Sequence, residues 1–224
     1  MGSNLDSRTY WDRFYTDHAF KSGKEPCPFL KEQIKRLSKG KALDIAMGEG
    51  QNAIYLASSG FEVEGIDISQ VAVDRAQALA YEKQLTIKTK RSDLDMYLFD
   101  LMAYDAVIMI DFKPNLKRCY DEIARGLKHG GRLLVKGPLL GAQAMQEHTG
   151  NYFRTNELLR ALEGFNILYY CETEEDVGER SVYCLAEKPD HKDAQKLGMF
   201  DMQAKNKKEE TSVHIKMAEA LFKK

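Results

Sequence analysis

Leu43-Asp44-Ile45-Ala46-Met47-Gly48-Glu49-Gly50-Gln51-Asn52-Ala53 is the stretch that decides how this chain folds. A short apolar run enters it, two glycines break it, and a helix-compatible segment leaves it. Gly48, Gly50 and Ala53 satisfy the G-x-G-x-x-G/A pattern that joins the first strand to the first helix in nucleotide-binding α/β folds. Small residues permit the tight turn and let a ligand approach the backbone. Outward from the turn, residues 41–46 read as a strand and 52–59 as a helix closed by Gly60. The alternation repeats: a strand over 61–67, a helix to residue 83 capped by Ser69, and strands over 85–90 and 104–110. A helix over 116–127, a turn at Gly130-Gly131 and a strand over 132–136 follow. Strand followed by helix, repeated, predicts a mostly parallel sheet with helices on both faces.

The flanks depart from this rhythm. Residues 8–15 predict a short aromatic helix, and residues 28–37 a second one with Pro28 at its start. Beyond Gly137-Pro138 the pattern loosens; Thr155 reads as the cap of a further helix. Strands over 165–171 and 181–187, joined by the acidic stretch 172–179, read as an antiparallel pair. The chain therefore divides into N-terminal helices covering the active site (1–40), a core (41–189) and a lysine-rich C-terminal extension (190–224). Within the extension, residues 213–222 have the spacing of an amphipathic helix.

Composition narrows the function classes. The 224 residues are 43% hydrophobic and 30% charged, ordinary for a folded domain. A formal net charge of -1 advertises no nucleic-acid partner. No apolar run is long enough to span a bilayer, and residues 1–13 lack the apolar stretch of a signal peptide, so a cytoplasmic protein is expected. Cys27, Cys119, Cys171 and Cys184 are widely spaced, form no CxxC pair and have no histidine at zinc-ligand spacing; buried free thiols and no metal are expected.

Charge then discriminates between ligands. Asp44 lies near the end of the first strand and Glu49 inside the glycine turn. Two carboxylates oppose a pyrophosphate at a helix N-terminus. They favour a cationic ligand such as S-adenosylmethionine, with its sulfonium and α-ammonium, by about 1–4 kcal/mol at contact distance. Asp67 ends the second strand, where a carboxylate accepts from ribose hydroxyls; initiating the next turn is the other reading of this residue. Asp93 follows the third strand and is placed to accept from an adenine amino group. Ile110 and Asp111 end the fourth, where donor and acceptor meet. Ligands bind at this edge of such sheets.

These residues resemble a class I S-adenosylmethionine-dependent methyltransferase, and within that superfamily the branch of tellurite-resistance and thiopurine-type methyltransferases. Asp44-x-Ala46-x-Gly48-x-Gly50 and Asn52-Ala53-x-x-Leu56-Ala57 are similar to the first motif and its continuation. Gly65-x-Asp67-x-Ser69, Asp93-Leu94 and Leu127-Lys128-x-Gly130-Gly131 are similar to later ones, as are Trp11-Asp12-x-x-Tyr15 and Pro26-x-Pro28-Phe29-Leu30. The resemblance implies one Rossmann-like α/β domain with a seven-stranded sheet whose last strand is antiparallel. It implies Gly48 and Gly50 against the methionyl part, Asp67 on the ribose with Ile68 beside it, and Asp93 with Leu94 clasping the adenine. Asp44, Ala46, Asn52 and Ile110 complete the expected cofactor-binding set. Two residues depart from the branch: Met47 stands where Cys is frequent, and Gln51 where Arg is.

The expected activity is transfer of a methyl group to a small-molecule acceptor, a thiol or chalcogen species among them, by a monomer or homodimer acting neither on nucleic acid nor at a membrane. Such soft nucleophiles need no strong base; for other acceptors Asp111 is the catalytic candidate. Tyr10, Trp11 and Tyr15 are read either as walls of a substrate pocket or as packing of the N-terminal helix. An RNA or protein methyltransferase, hinted at by Lys205–Lys208, and a non-catalytic cofactor-binding protein are the alternatives.

Overall fold

The computed structural model describes residues 4–20, 23–114, 117–141, 152–174 and 180–190. Contacts divide the chain into Met1–Lys188 and Pro189–Lys224. The amphipathic segment read at 213–222 and the lysine cluster at 205–208 lie outside the described residues.

Two helices, α1 (Asn4–Asp17) and α2 (Pro28–Gln33), precede the sheet. The latter tightens into a 3-10 turn over Ile34–Arg36, so the expected second helix is shorter than its apolar spacing implies. The alternation then runs β1 (Lys41–Ile45), α3 (Gln51–Ser58), β2 (Glu62–Asp67), α4 (Gln70–Glu82), β3 (Lys88–Arg91), β4 (Tyr104–Ile110), α5 (Arg118–Gly126) and β5 (Leu127–Leu139). It closes with α6 (Glu157–Ala161), β6 (Asn166–Glu174) and β7 (Arg180–Glu187). The sheet has seven strands in the order β3-β2-β1-β4-β5-β7-β6. Only β7 runs antiparallel to its neighbours β5 and β6. The strand order reverses between β1 and β4, which opens the ligand crevice of doubly wound sheets at the carboxyl ends of these two strands.

Both faces of the central strands are buried, which is why β4 reads as the unbroken apolar run Tyr-Asp-Ala-Val-Ile-Met-Ile with one interruption. On one face Leu43, Ile45, Val107, Met109, Leu133 and Val135 meet Ile123 of α5 and Leu158 of α6. On the other, Ala42, Ala106, Ile108, Ile110 and Leu134 meet Phe29 and Leu30 of α2 and Ala53 and Leu56 of α3. The period-two alternation within each strand thus delivers Ile110 to the face that carries the glycine-turn helix.

Two expectations need correction. The Gly130-Gly131 turn does not precede β5 but lies within it: Tyr104 pairs Leu127 and Ala106 pairs Arg132, so the chain bulges between those pairs, with Gly130 at φ 70°. Thr155 does not cap α6. The cap is Asn156, in the left-handed region with no capping side chain of its own. Glu157 accepts the Arg154 N–H at 2.8 Å and Glu172 of β6 accepts the Asn156 N–H at 2.6 Å, so acidic side chains hold the backbone on either side of Thr155. Among the described residues no helix is long and apolar enough to cross a membrane.

Candidate active site

The glycine turn is held in a backbone path that few residues tolerate. Ala46, Gly48 and Gly50 all have positive φ, at 53°, 55° and 87°. A Cβ on Gly50 would sit 2.7 Å from that of Ala76, so glycine here is what lets α4 close on α3. From β2, Asp67 braces the turn: one carboxylate oxygen accepts the Gly48 N–H and the other the Ser69 N–H, both at 2.9 Å. Ser69 in turn caps α4, its hydroxyl accepting from the Ala72 N–H at 3.2 Å.

Three carboxylates converge there, and the structure distinguishes them. Asp44 is buried, and its Oδ2 has no hydrogen-bond partner among the described residues. Burial pushes its carboxyl well above the usual range, the Asp67 charge adds to this, and the Ala53 N–H offsets part of it. Burial also raises Asp67, against the lowering effect of its backbone donors. Glu49 differs, because Arg75 from α4 pairs with it at 2.8 Å. The acidic character read from Asp44 and Glu49 thus rests, in space, on Asp44 and Asp67. Arg75 escaped the sequence reading because its partner is 26 residues away and no local spacing links the two.

Helix α1 lies over this turn. Asp12 accepts from the Ser69 hydroxyl at 2.6 Å and stands 3.5 Å from Arg91. Burial works against the Asp12 charge, but the hydrogen bonds from Ser69, Val71 and Gln70, with Arg91, outweigh it and hold the carboxyl below its usual range. Arg75 donates to the carbonyl of Tyr15. A Cβ on Gly48 would come within 2.9 Å of the Tyr15 hydroxyl, so that hydroxyl rests on the turn. Burial, then the charges of Asp67, Glu49 and Asp44, raise its pKa and keep it protonated. Tyr10 and Trp11 are exposed on α1. The Trp11 ring lies 5.3 Å from that of Tyr10 and 6.0 Å from that of Tyr15, so the three aromatics stay together on the helix, and it is the Tyr15 hydroxyl that reaches the turn.

At the adenine-side position, Asp93 is buried and one oxygen accepts the Asp95 N–H at 3.0 Å. Its Oδ2 has no partner among the described residues. Leu94 opens a 3-10 turn and packs against the core. The carbonyl of Ile68 accepts from Arg91 at 3.1 Å. Asn52 Oδ1 accepts the Cys27 N–H at 2.8 Å and ties down the loop before α2.

That loop walls a cleft of about 690 Å³, entered beside Ile110, Asp111, Gln51 and Asn52. Gly48, Asp67 and Asp93 are not part of its lining. Asp111, at φ 55°, is exposed and pairs with Lys136 of β5 at 2.5 Å. Lys136 belongs to no motif and was not singled out by sequence; Cys27, expected as a buried thiol, is only partly buried and stands at the cleft wall. Burial raises the Cys27 thiol, the Leu30 and Phe29 N–H groups lower it, and Asp111 and Lys136 act on it in opposite senses. Among the described residues no group of three or more metal-ligating side chains is assembled.

The cofactor can be tested against this geometry. Two buried, unpartnered carboxylate oxygens, a glycine turn with positive φ and a doubly wound switch point suit a ligand with cationic and amine groups better than a pyrophosphate. Residues 42–131 match the methyltransferase domain family.

The match runs from β1 to the bulged start of β5. A ubiquinone biosynthesis O-methyltransferase of Coxiella burnetii is 29% identical over 109 residues, 47% of this chain and 46% of that protein. The chain spans 35% to 46% of the length of the curated relatives it matches. TehB from Haemophilus influenzae is similar in fold, with a TM-score of 0.64 at 17% identity, over 80% of this chain and 67% of that one. So is the geranyl diphosphate C-methyltransferase of Streptomyces coelicolor, solved with S-adenosyl-L-homocysteine, with a TM-score of 0.62 at 15% identity over 70% and 78%.

Proposed function

We propose that this chain transfers the methyl group of S-adenosylmethionine to a small organic molecule held in the cleft beside Ile110 and Asp111, with a thiol or other chalcogen atom as the nucleophile. One observation carries the reading: a roomy cleft opens beside the end of β4, next to the acidic glycine turn but not lined by it. Donor and acceptor then have separate chambers that meet at one strand end. When bound, S-adenosylmethionine supplies a methyl group already activated on a sulfonium.

The protein's own part is to bind, orient and exclude water. Asp93 Oδ2 receives the adenine amino group, with Leu94 beside the ring. Asp67 receives the ribose hydroxyls, since a carboxylate has about four acceptor positions and two of them go to the turn. Asp44 and Asp67 supply negative charge beneath the methionyl end, at Ala46, Gly48 and Gly50. Tyr15 closes the turn from above, which gives residues 1–40 their covering role over the 41–189 core. Asp111 holds the Lys136 ammonium at the cleft, and a soft nucleophile needs no stronger base. The same reading makes the chain a cytoplasmic monomer or homodimer without a nucleic-acid partner.

Calorimetry with S-adenosylmethionine and its demethylated product is the test, followed by turnover against a panel of aryl and alkyl thiols. Tight binding of both and methylation of at least one thiol are expected. Failure of both cofactor forms to bind removes the proposal.

A further inference from the structure

The acceptor cleft carries a hydrogen-bonding group with nothing to bond. Gln51, the first residue of α3, lines the cleft, and its Oε1 is buried without a partner among the described residues. A buried carbonyl oxygen left unsatisfied is costly, and a ligand donor recovers that cost. The charged groups of the lining are differently placed. Its two lysines are already in ion pairs, Lys136 with Asp111 at 2.5 Å and Lys31 with Glu25 at 2.9 Å. An oxyanion entering the cleft therefore competes with a carboxylate for each cation.

Size and wall chemistry point the same way. Liquid water takes about 30 Å³ per molecule, so about 690 Å³ is space for an organic molecule and is far larger than a bare chalcogen oxyanion requires. One wall is aromatic: Tyr169 and Tyr183 line the cleft, each packed on Phe29 with ring centroids 5.5 Å and 5.1 Å away. Tyrosine walls of this kind take flat apolar bodies by stacking or edge contact.

We propose that Gln51 is the specificity-determining residue of this cleft, its Oε1 selecting an uncharged aromatic acceptor that bears an O–H or N–H donor. The assignment rests on the methyl-transfer reading above. It adds that selection is made by a neutral side chain at the boundary between the glycine turn and the cleft.

Thioethers, being already methylated, report binding without turnover. Titration of the protein loaded with S-adenosylhomocysteine therefore uses 3-(methylthio)phenol, 3-(methylthio)anisole and 3-(methylthio)benzoate, which share one ring and differ only in the second substituent. The phenol is expected to bind about tenfold more tightly than the anisole, since a site built for a donor rejects the analogue without one. Gln51→Leu is expected to bring the two within about twofold, Gln51→Glu to keep the preference, and Gln51→Arg to move it to the benzoate. Equal binding of phenol and anisole by the native protein overturns the assignment, as does full discrimination by Gln51→Leu. Failure of all three thioethers to bind the loaded protein overturns it as well. Failure of S-adenosylhomocysteine itself to bind strikes the methyl-transfer reading instead, so the two ideas fail separately.

Discussion

The β1–β2 half of the sheet edge and the β4–β5–β7 half face related tasks with different construction. On the first, the Asp67 carboxylate ties the turn to the start of α4 by accepting the Gly48 and Ser69 N–H groups, and the acidic groups are buried. On the second, the cleft is gathered from residues as far apart as Glu25 and Tyr183, and its ion pair is partly open to solvent. The half proposed for the donor is thus intolerant of volume. The half proposed for the acceptor is a set of separable side chains on strand ends and a loop, where change affects which molecule fits more than whether the chain folds. A shared fold does not settle such chemistry, and the TehB and geranyl diphosphate methyltransferase structures share this one at under 20% identity.

The most severe way to probe the contrast is Gly50→Val. Its side chain would start 2.7 Å from the Ala76 Cβ in a backbone with φ 87°. A loss of about 3 kcal/mol or more is expected, read as a fall in melting temperature. By contrast, Lys136→Met on the acceptor half should cost no more than about 1 kcal/mol. Equal melting points for the two variants would erase the distinction.

Asp44→Asn comes next. Removing a buried charge whose Oδ2 has no partner should leave the melting temperature unchanged or higher. It should also weaken S-adenosylmethionine by about tenfold or more while affecting the uncharged-sulfur product less. An equal loss for both ligands would show that Asp44 does not sense the sulfonium.

Asp111→Asn follows on the acceptor side. Asparagine tolerates the left-handed backbone that Asp111 adopts, so the substitution isolates the charge. Turnover of a thiol should fall about three- to tenfold while cofactor affinity stays within about twofold, as expected of sites that do not share partners. Loss of cofactor affinity in parallel with turnover would merge the two halves into one site.

The smallest effect is in the pH dependence. Asp44 and Asp67 both have raised folded-state pKa values. The folded chain thus holds their protons more tightly than the unfolded one, and their contribution to stability falls as pH rises from the ordinary 3.8 through the raised values. Attraction for a sulfonium needs the charged form and grows over that same window. The ratio of S-adenosylmethionine to S-adenosylhomocysteine affinity should therefore increase by about threefold from the acid side to neutrality. A flat ratio would place the titrating groups elsewhere.

What could be read before folding follows the same division. Ser69 as a cap, β4 over residues 104–110 and the antiparallel final strand depend on neighbours a few residues apart or on period, and all three are present. The Glu49–Arg75, Asn52–Cys27 and Asp111–Lys136 contacts span about 25 residues each and carry no periodic signal. Gly130-Gly131 has the composition of a turn but serves a bulge, because strand pairing resumes on both sides of it. Thr155 has the right chemistry for a cap, but the helix starts one residue later, after Asn156 in the left-handed region. Composition names the group that could act; packing decides which group does.

The Tyr15 hydroxyl resting on Gly48 has a practical consequence. The arm that carries it is fastened by Asp12 to Ser69 and by Tyr15 to Arg75, both in the α4 region that also receives Gly50. Shortening the arm, or fusing an affinity tag to it, would uncover the turn and alter the surroundings of its carboxylates. A defect in cofactor affinity produced that way would mimic damage to the turn itself. Preparations differing only in their first seventeen residues are thus different ligand-binding proteins, and their affinities belong on separate scales.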